Sequence, residues 1–333
     1  MPKSPSAVGS KKVSKGVDVK RFPPVKDISI KEDSSVNAIL TQMGSSGGFQ
    51  AKNLAYALDI LETMCREAPD CTRFLSFPAA IISTGNRGVI KELVRRKLFD
   101  VVITTCGTLD HDIARAYKPY LSGGEFTMDD VVLEKKGIHR LGNVLVPQEN
   151  YGPLIEEKVQ KVLANMYHNG EKEPTTRLLC QRLGESLEDE NSILYWASKN
   201  EIPIFVPGIT DGAVGSQCWL YYQLHRDFKL DLLKDEQELS DIVYSAKKTG
   251  AFLLGGGISK HHTIWWNQFR GGLDYAAYIT SATEQDGSLS GAQIREAISW
   301  GKVSSKAEQV TVFGEVTTLL PFLATALIQR LAK

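Results

Sequence analysis

The chain has 333 residues, 42% of them apolar, with 39 basic side chains against 39 acidic ones and zero formal net charge. That length and apolar share suffice for one large buried core or two smaller ones. The charge balance excludes bulk attraction to nucleic acid or to a membrane surface as the basis of function.

Residues 1–24 read as a flexible basic tail, because Lys3, Lys11, Lys12, Lys15, Lys20 and Arg21 face the single acid Asp18 with little apolar content between them. The remainder, 25–333, reads as one domain. Gly44-Ser45-Ser46-Gly47-Gly48 forms a loop before the amphipathic run 50–67, where Leu54, Leu58, Leu61 and Met64 recur at helical spacing. Apolar, β-rich runs then occur at 73–77, 101–105, 202–206, 251–254, 275–280 and 309–313. Helix-compatible segments at 86–97, 213–225, 263–270, 291–300 and 317–332 follow most of them. This alternation predicts an α/β fold, Rossmann-like, with a mostly parallel sheet and helices on both faces. The runs are apolar almost throughout, as buried parallel strands are. The stretch 118–195 reads as an insertion rich in charge and loops, with helix-like pieces near 151–168 and 185–199. No apolar run reaches the ~20 residues that span a bilayer, and the N-terminus lacks the apolar core of a secretory signal. The cysteines Cys65, Cys71, Cys106, Cys180 and Cys218 form no CxxC pair. They fit neither a disulfide framework nor a zinc site, which predicts no metal and a reducing cytoplasm.

In an open α/β sheet, ligands bind beyond the carboxyl ends of the strands. Those ends carry Ser83-Thr84-Gly85, Thr104-Thr105-Cys106-Gly107, Thr210-Asp211-Gly212, Gly255-Gly256-Gly257, Thr280-Ser281 and Gly314-Glu315. Turns use glycine anyway. Recurrence of glycines and small hydroxyl residues at six ends nevertheless favours a nucleotide site, since these residues let backbone N–H groups approach phosphate oxygens. No GxGxxG follows the first strand, so this is not the ordinary Rossmann fingerprint.

Lys302 is a candidate nucleophile. A lysine amine attacks a carbonyl or imine carbon only when uncharged. It follows a helix-compatible segment in which Glu296 and Trp300 stand at i, i+4. Trp300 can stack on an alkylammonium and Glu296 can pair with its charge. The competing reading is an exposed helix-end lysine beside a core tryptophan. His261 and His262 follow the glycine loop, where a histidine can take a proton from an amine under oxidation. Capping or packing explains such histidines equally well, and packing is the plain reading of Trp265 and Trp266.

Taken together, these residues resemble the deoxyhypusine synthase family. The resemblance rests on Gly255 through His262, Asp274-Tyr275-Ala276-Ala277-Tyr278-Ile279, Asp286-Gly287-Ser288, Ser290-Gly291-Ala292 and Glu296 through Lys302. Gly48-Phe49-Gln50-Ala51, Arg140-Leu141-Gly142-Asn143, Val146 through Tyr151 and Pro207 through Gly215 extend it over roughly 35–330. It implies NAD-dependent oxidation of spermidine and passage of a 4-aminobutyl unit to an enzyme lysine as an imine. Transfer to one lysine of a hypusine-containing translation factor precursor follows. By position it implies Lys302 as nucleophile and His261 as the group facing the amine. Glu296, Trp300, Asp286, Gly287 and Ser290 fall on the amine side. Ser83, Thr84, Thr105, Gly107, Asp211, Gly256, Ser281, Ala282, Glu315 and Val316 fall on the NAD side. It also implies a homotetramer with sites at dimer interfaces.

Five positions depart from the family pattern: Ser216, Leu289, Trp265, His111 and Ala80. Ser216, Leu289 and His111 stand where the family has acids. Spermidine carries three positive charges, and burying ammonium groups without acids costs several kcal/mol each. Compensation is expected from Asp110, Asp112, Glu284 or a neighbouring subunit. Three readings stay open at this level: deoxyhypusine formation with a remodelled amine pocket, a related aminoalkyl transferase making homospermidine or another polyamine, and a weakly active subunit that regulates a paralogue.

Overall fold

The computed structural model describes residues 22–332, so nearly all of the basic tail lies outside the described residues. In chain order, α1 (Val36–Ser45) and α2 (Phe49–Arg66) lead into β1 (Cys71–Ser76). A 3₁₀ turn, Ala79–Ser83, is followed by α3 (Asn86–Arg95), β2 (Val101–Ile103) and α4 (Cys106–Tyr117). Next come α5 (Asp130–Lys135), a hairpin of β3 (Ile138–Leu141) and β4 (Val144–Pro147), then α6 (Gly152–His168), α7 (Thr176–Glu185) and α8 (Ile193–Asn200). The chain continues through β5 (Ile204–Phe205), α9 (Ala213–Leu224), α10 (Leu232–Ser245), β6 (Lys248–Leu254), α11 (Gly257–Asn267) and β7 (Leu273–Thr280). It closes with β8 (Val303–Phe313) and α12 (Val316–Leu331).

Six strands form one sheet in the order β5-β2-β1-β6-β7-β8, and every pair in it is parallel. The chain steps outward from β1 in one direction and then returns to its other side at β6. The order therefore reverses between β1 and β6, whose register pairs Phe74 with Ala251. In doubly wound sheets a crevice opens at this reversal. Because all six strands run the same way, their carboxyl ends share one edge.

Successive strand residues face opposite sides of the sheet. Leu75, Phe252 and Ile279 join the larger core cluster with Leu58 and Leu61 of α2, Leu320 and Leu323 of α12, and Val159 of α6. Phe74, Leu253 and Tyr278 pack on the other face with Leu239 of α10 and Ile264 of α11. Full burial of one such side chain contributes roughly 1.5–3 kcal/mol.

The predicted architecture holds, with corrections to its parts. The stretch 118–195 is not loop-rich. It holds four helices and the hairpin, and buries Ile155, Val159, Leu163 and Leu179 in the main core. Helix α4 escaped the periodicity because polar Thr108, Asp110, His111 and Asp112 are all buried in it. The segment expected at 263–270 starts at Gly257, directly on the glycine loop. The segment expected at 291–300 is a five-residue 3₁₀ helix, Ile294–Ile298, extended by turns.

Candidate active site

The 3₁₀ helix delivers Lys302. After Ile298 the chain turns through Gly301 at φ +69°, a left-handed conformation suited to glycine. The Lys302 N–H then donates to the Ala297 carbonyl at 3.0 Å. The Lys302 side chain lies just before β8 and is only 7% exposed. Its Nζ sits 3.4 Å from His261 Nε2 on α11. Two indole rings flank it, with centroids at 5.3 Å for Trp265 and 5.2 Å for Trp300. These groups line a cleft of about 400 Å³ together with Lys260, Gly287, Leu289, Gln293 and Glu296. Burial, then the charge of Lys302, holds the His261 imidazole below its ordinary pKa. It is therefore neutral at pH 7 and able to accept a proton.

The predicted amine-side residues divide. Lys302, His261, Glu296, Trp300 and Gly287 meet in the cleft. Asp286 stands outside it, fully exposed, with Oδ1 accepting from the Ser288 N–H at 2.7 Å. Ser290 is a brace rather than a wall. Its Oγ accepts from the Gly257 N–H at 3.1 Å, and its carbonyl accepts from Tyr278 Oη at 2.5 Å and Thr280 Oγ1 at 2.9 Å. His262 turns to the opposite partner, Glu236, at 3.3 Å.

Lys260 stands out in the sequence only as a member of the glycine loop, yet it is structurally central. It is 1% exposed, donates to the carbonyls of Leu289 at 2.7 Å and Ala292 at 2.8 Å, and lies 3.8 Å from the Tyr278 ring centroid. Burial pushes it down to about 8 against the raising influence of Glu296. It ties the 289–292 loop to α11. The signal available in the sequence was its i, i+4 spacing to the apolar Ile264, which turns it inward.

The predicted NAD-side residues all lie along the carboxyl edge of the sheet. Ser83 and Thr84 end the 3₁₀ turn after β1, where their hydroxyls donate to the Ala80 and Ile81 carbonyls, each at 2.7 Å. Thr105 and Gly107 begin α4, and a Cβ on Gly107 would come within 2.8 Å of Ala79. Asp211 is exposed after β5, and Ser281 and Ala282 follow β7. Gly256 precedes α11, and Gly257 at φ +73° leaves open space where a Cβ would stand. Glu315 is occupied locally, capping α12 by accepting from the Thr317 and Thr318 N–H groups at 2.9 Å each. Val316 is buried behind it. The amino ends of α4 and α11 thus flank the reversal point, with glycine at the closest approaches. That cradle fits the pyrophosphate of a dinucleotide.

The expected compensation by acids does not occur inside this chain. Asp110, 1% exposed, accepts from the Ala213 and Val214 N–H groups and from Tyr151 Oη, so it caps α9. Asp112 is fully buried on Arg87 at 2.6 Å, Ser192, and the Ile193 and Leu194 N–H groups. Glu284 accepts from Gln293 Nε2. His111 is buried against Tyr120 Oη at 2.9 Å.

A sheet in this order, with a buried lysine amine held by a histidine beside its edge, defines a doubly wound α/β enzyme built around a reactive lysine. The family model described as deoxyhypusine synthase matches residues 38–327. A protein of Picrophilus torridus described as a "probable deoxyhypusine synthase" is 54% identical over 306 residues, covering 92% of this chain and 97% of that protein. One of Thermoplasma acidophilum with the same description is 56% identical over 300 residues, covering 90% and 96%. A crystal structure of a candidate deoxyhypusine synthase from Entamoeba histolytica shares the fold, with a TM-score of 0.60 at 21% identity over 91% of this chain and 96% of that one. The chain belongs to the deoxyhypusine synthase family.

Proposed function

We propose that this chain catalyses deoxyhypusine formation, the NAD-dependent transfer of the 4-aminobutyl group of spermidine to one lysine of a translation factor precursor. The observation that carries this reading is the Lys302–His261 pair, 3.4 Å apart between two indole rings in a cleft beside the dinucleotide crevice. NAD bound along Ser83, Thr105, Gly107, Asp211 and Gly256 supplies a hydride acceptor and later a donor. The neutral His261 takes the proton shed by the amine that loses hydrogen. Uncharged Lys302 attacks the resulting imine carbon, and 1,3-diaminopropane leaves. The acceptor lysine then displaces Lys302 in a second exchange of amine for amine. Each exchange is easier than direct substitution. The buried position of Lys302 shields its imine from water, and Glu296 faces the charged end of the amine.

One observation favours a second reading, aminoalkyl transfer between small amines: Glu296 is the single carboxylate among the described residues of the cleft. Similarity to described deoxyhypusine synthases over most of the chain supports the first. A homotetramer with sites at dimer interfaces also fits, since Trp219, Leu224 and Leu233 on α9 and α10 are exposed apolar side chains. Incubation with NAD, labelled spermidine and the acceptor precursor decides between the readings. Label on one acceptor lysine is the expected outcome, and label only in free polyamines would replace it with the second.

A further inference from the structure

The cleft has an unusual way of meeting an ammonium. Its lining carries two lysines, Lys260 and Lys302, and one carboxylate, Glu296. The nearby acids Asp110 and Asp112 are consumed by backbone N–H groups and Arg87. What the cleft offers instead is ring surface. Trp265 and Trp300 approach one ammonium-sized point from two sides, at 5.3 and 5.2 Å from Lys302 Nζ, within the ~6 Å at which ring faces attract cations. Trp265 is held in place from its own helix. His261 stacks on it one turn before, at 5.6 Å and 29°, and Phe269 meets it edge-on one turn after, at 5.9 Å and 86°. Both indoles keep free surface, with Trp265 41% and Trp300 67% exposed.

Resting on the amine-transfer reading above, we propose that Trp265 determines amine specificity: with Trp300 it seats the ammonium end of a linear alkylamine between ring faces, so that a methylated end is accepted as readily as a bare one. A carboxylate subsite recognises N–H donors, and methylation removes them. A ring face recognises charge without needing a donor, and methyl groups add contact with it.

The test uses the full chain with NAD present. Calorimetry compares 1,8-diaminooctane, a diamine of spermidine's length, with its singly N-trimethylated form. The wild type binds the two within about threefold of each other. Trp265→Ala weakens the trimethylated form about tenfold or more while the bare diamine loses about threefold or less, and Trp265→Phe restores most of the difference. Rejection of the trimethylated form by more than about tenfold in the wild type overturns the proposal. Equal losses for both ligands in Trp265→Ala overturn it as well. Borohydride trapping of the aminobutyl unit on Lys302 reads the transfer reaction separately. A normal adduct with equal binding losses sinks the aromatic seat alone. A Trp265-dependent preference without any adduct sinks the transfer reading alone.

Discussion

Gly256→Ala tests how the glycine loop is built. An added Cβ would lie 2.5 Å from the Ser290 Cα and closer still to its side chain, so rotating the hydroxyl away cannot relieve the overlap. Ser290 cannot simply retreat, because its carbonyl is held by Tyr278 and Thr280 and its Oγ holds the Gly257 N–H. Overpacking of this kind costs about 1–3 kcal/mol. Releasing the two bonds to the Ser290 carbonyl adds about 1 kcal/mol each. The expected loss is therefore about 3–5 kcal/mol in urea unfolding, with NAD affinity down about tenfold or more because the loop leaves the crevice. Adding Ser290→Gly removes the side-chain overlap but leaves the clash with the backbone at position 290, so the double variant recovers part of the loss. A Gly256→Ala protein within about 0.5 kcal/mol of wild type, or one showing no coupling to position 290, would refute the reasoning.

Burial, with the charge of Arg115, pushes His111 down to about 4 from an ordinary 6.5. Between those values the unfolded chain binds a proton that the folded one refuses. The stability is fully present above pH 6.5 and falls as pH drops toward 4, by up to ~1.4 kcal/mol per pH unit from this residue. Urea midpoints against pH should show that slope and a flatter one in His111→Gln; an unchanged slope would count against it. Asp110→Asn leaves three donors facing one acceptor oxygen and is expected to cost about 2–3 kcal/mol in unfolding with no change in amine KM. A raised KM at unchanged stability would make Asp110 an amine-binding acid instead. His261→Gln should slow transfer about 10²–10⁴-fold in single turnover and remove the acid limb of the wild-type pH profile, while NAD binding persists. Transfer within about threefold of wild type would exclude His261 as the proton acceptor.

The sheet was legible because buried parallel strands are nearly continuous apolar runs, and all six fell where those runs predicted. Their order was not legible, since β1 and β6 pair across about half the chain and no local pattern records that. Helix α4 was hidden for a related reason. Asp110 and Asp112 look like surface residues in sequence, yet they are core acids whose partners, Val214 and Arg87, lie far away along the chain. The reactive end of the site was legible because Glu296, Trp300, Gly301 and Lys302 are close in sequence. The roles of Ser290 and Lys260 were not, because both act on backbone groups of another loop.

The central claim is that Lys302 carries the aminobutyl unit. It is tested most directly by incubating the protein with NAD and spermidine, reducing with borohydride, and mapping the modified peptide by mass spectrometry. The account predicts one aminobutyl adduct on Lys302, dependent on NAD and lost in Lys302→Ala while NAD binding remains. An adduct on another lysine, or undiminished transfer to the acceptor by Lys302→Ala, would contradict it.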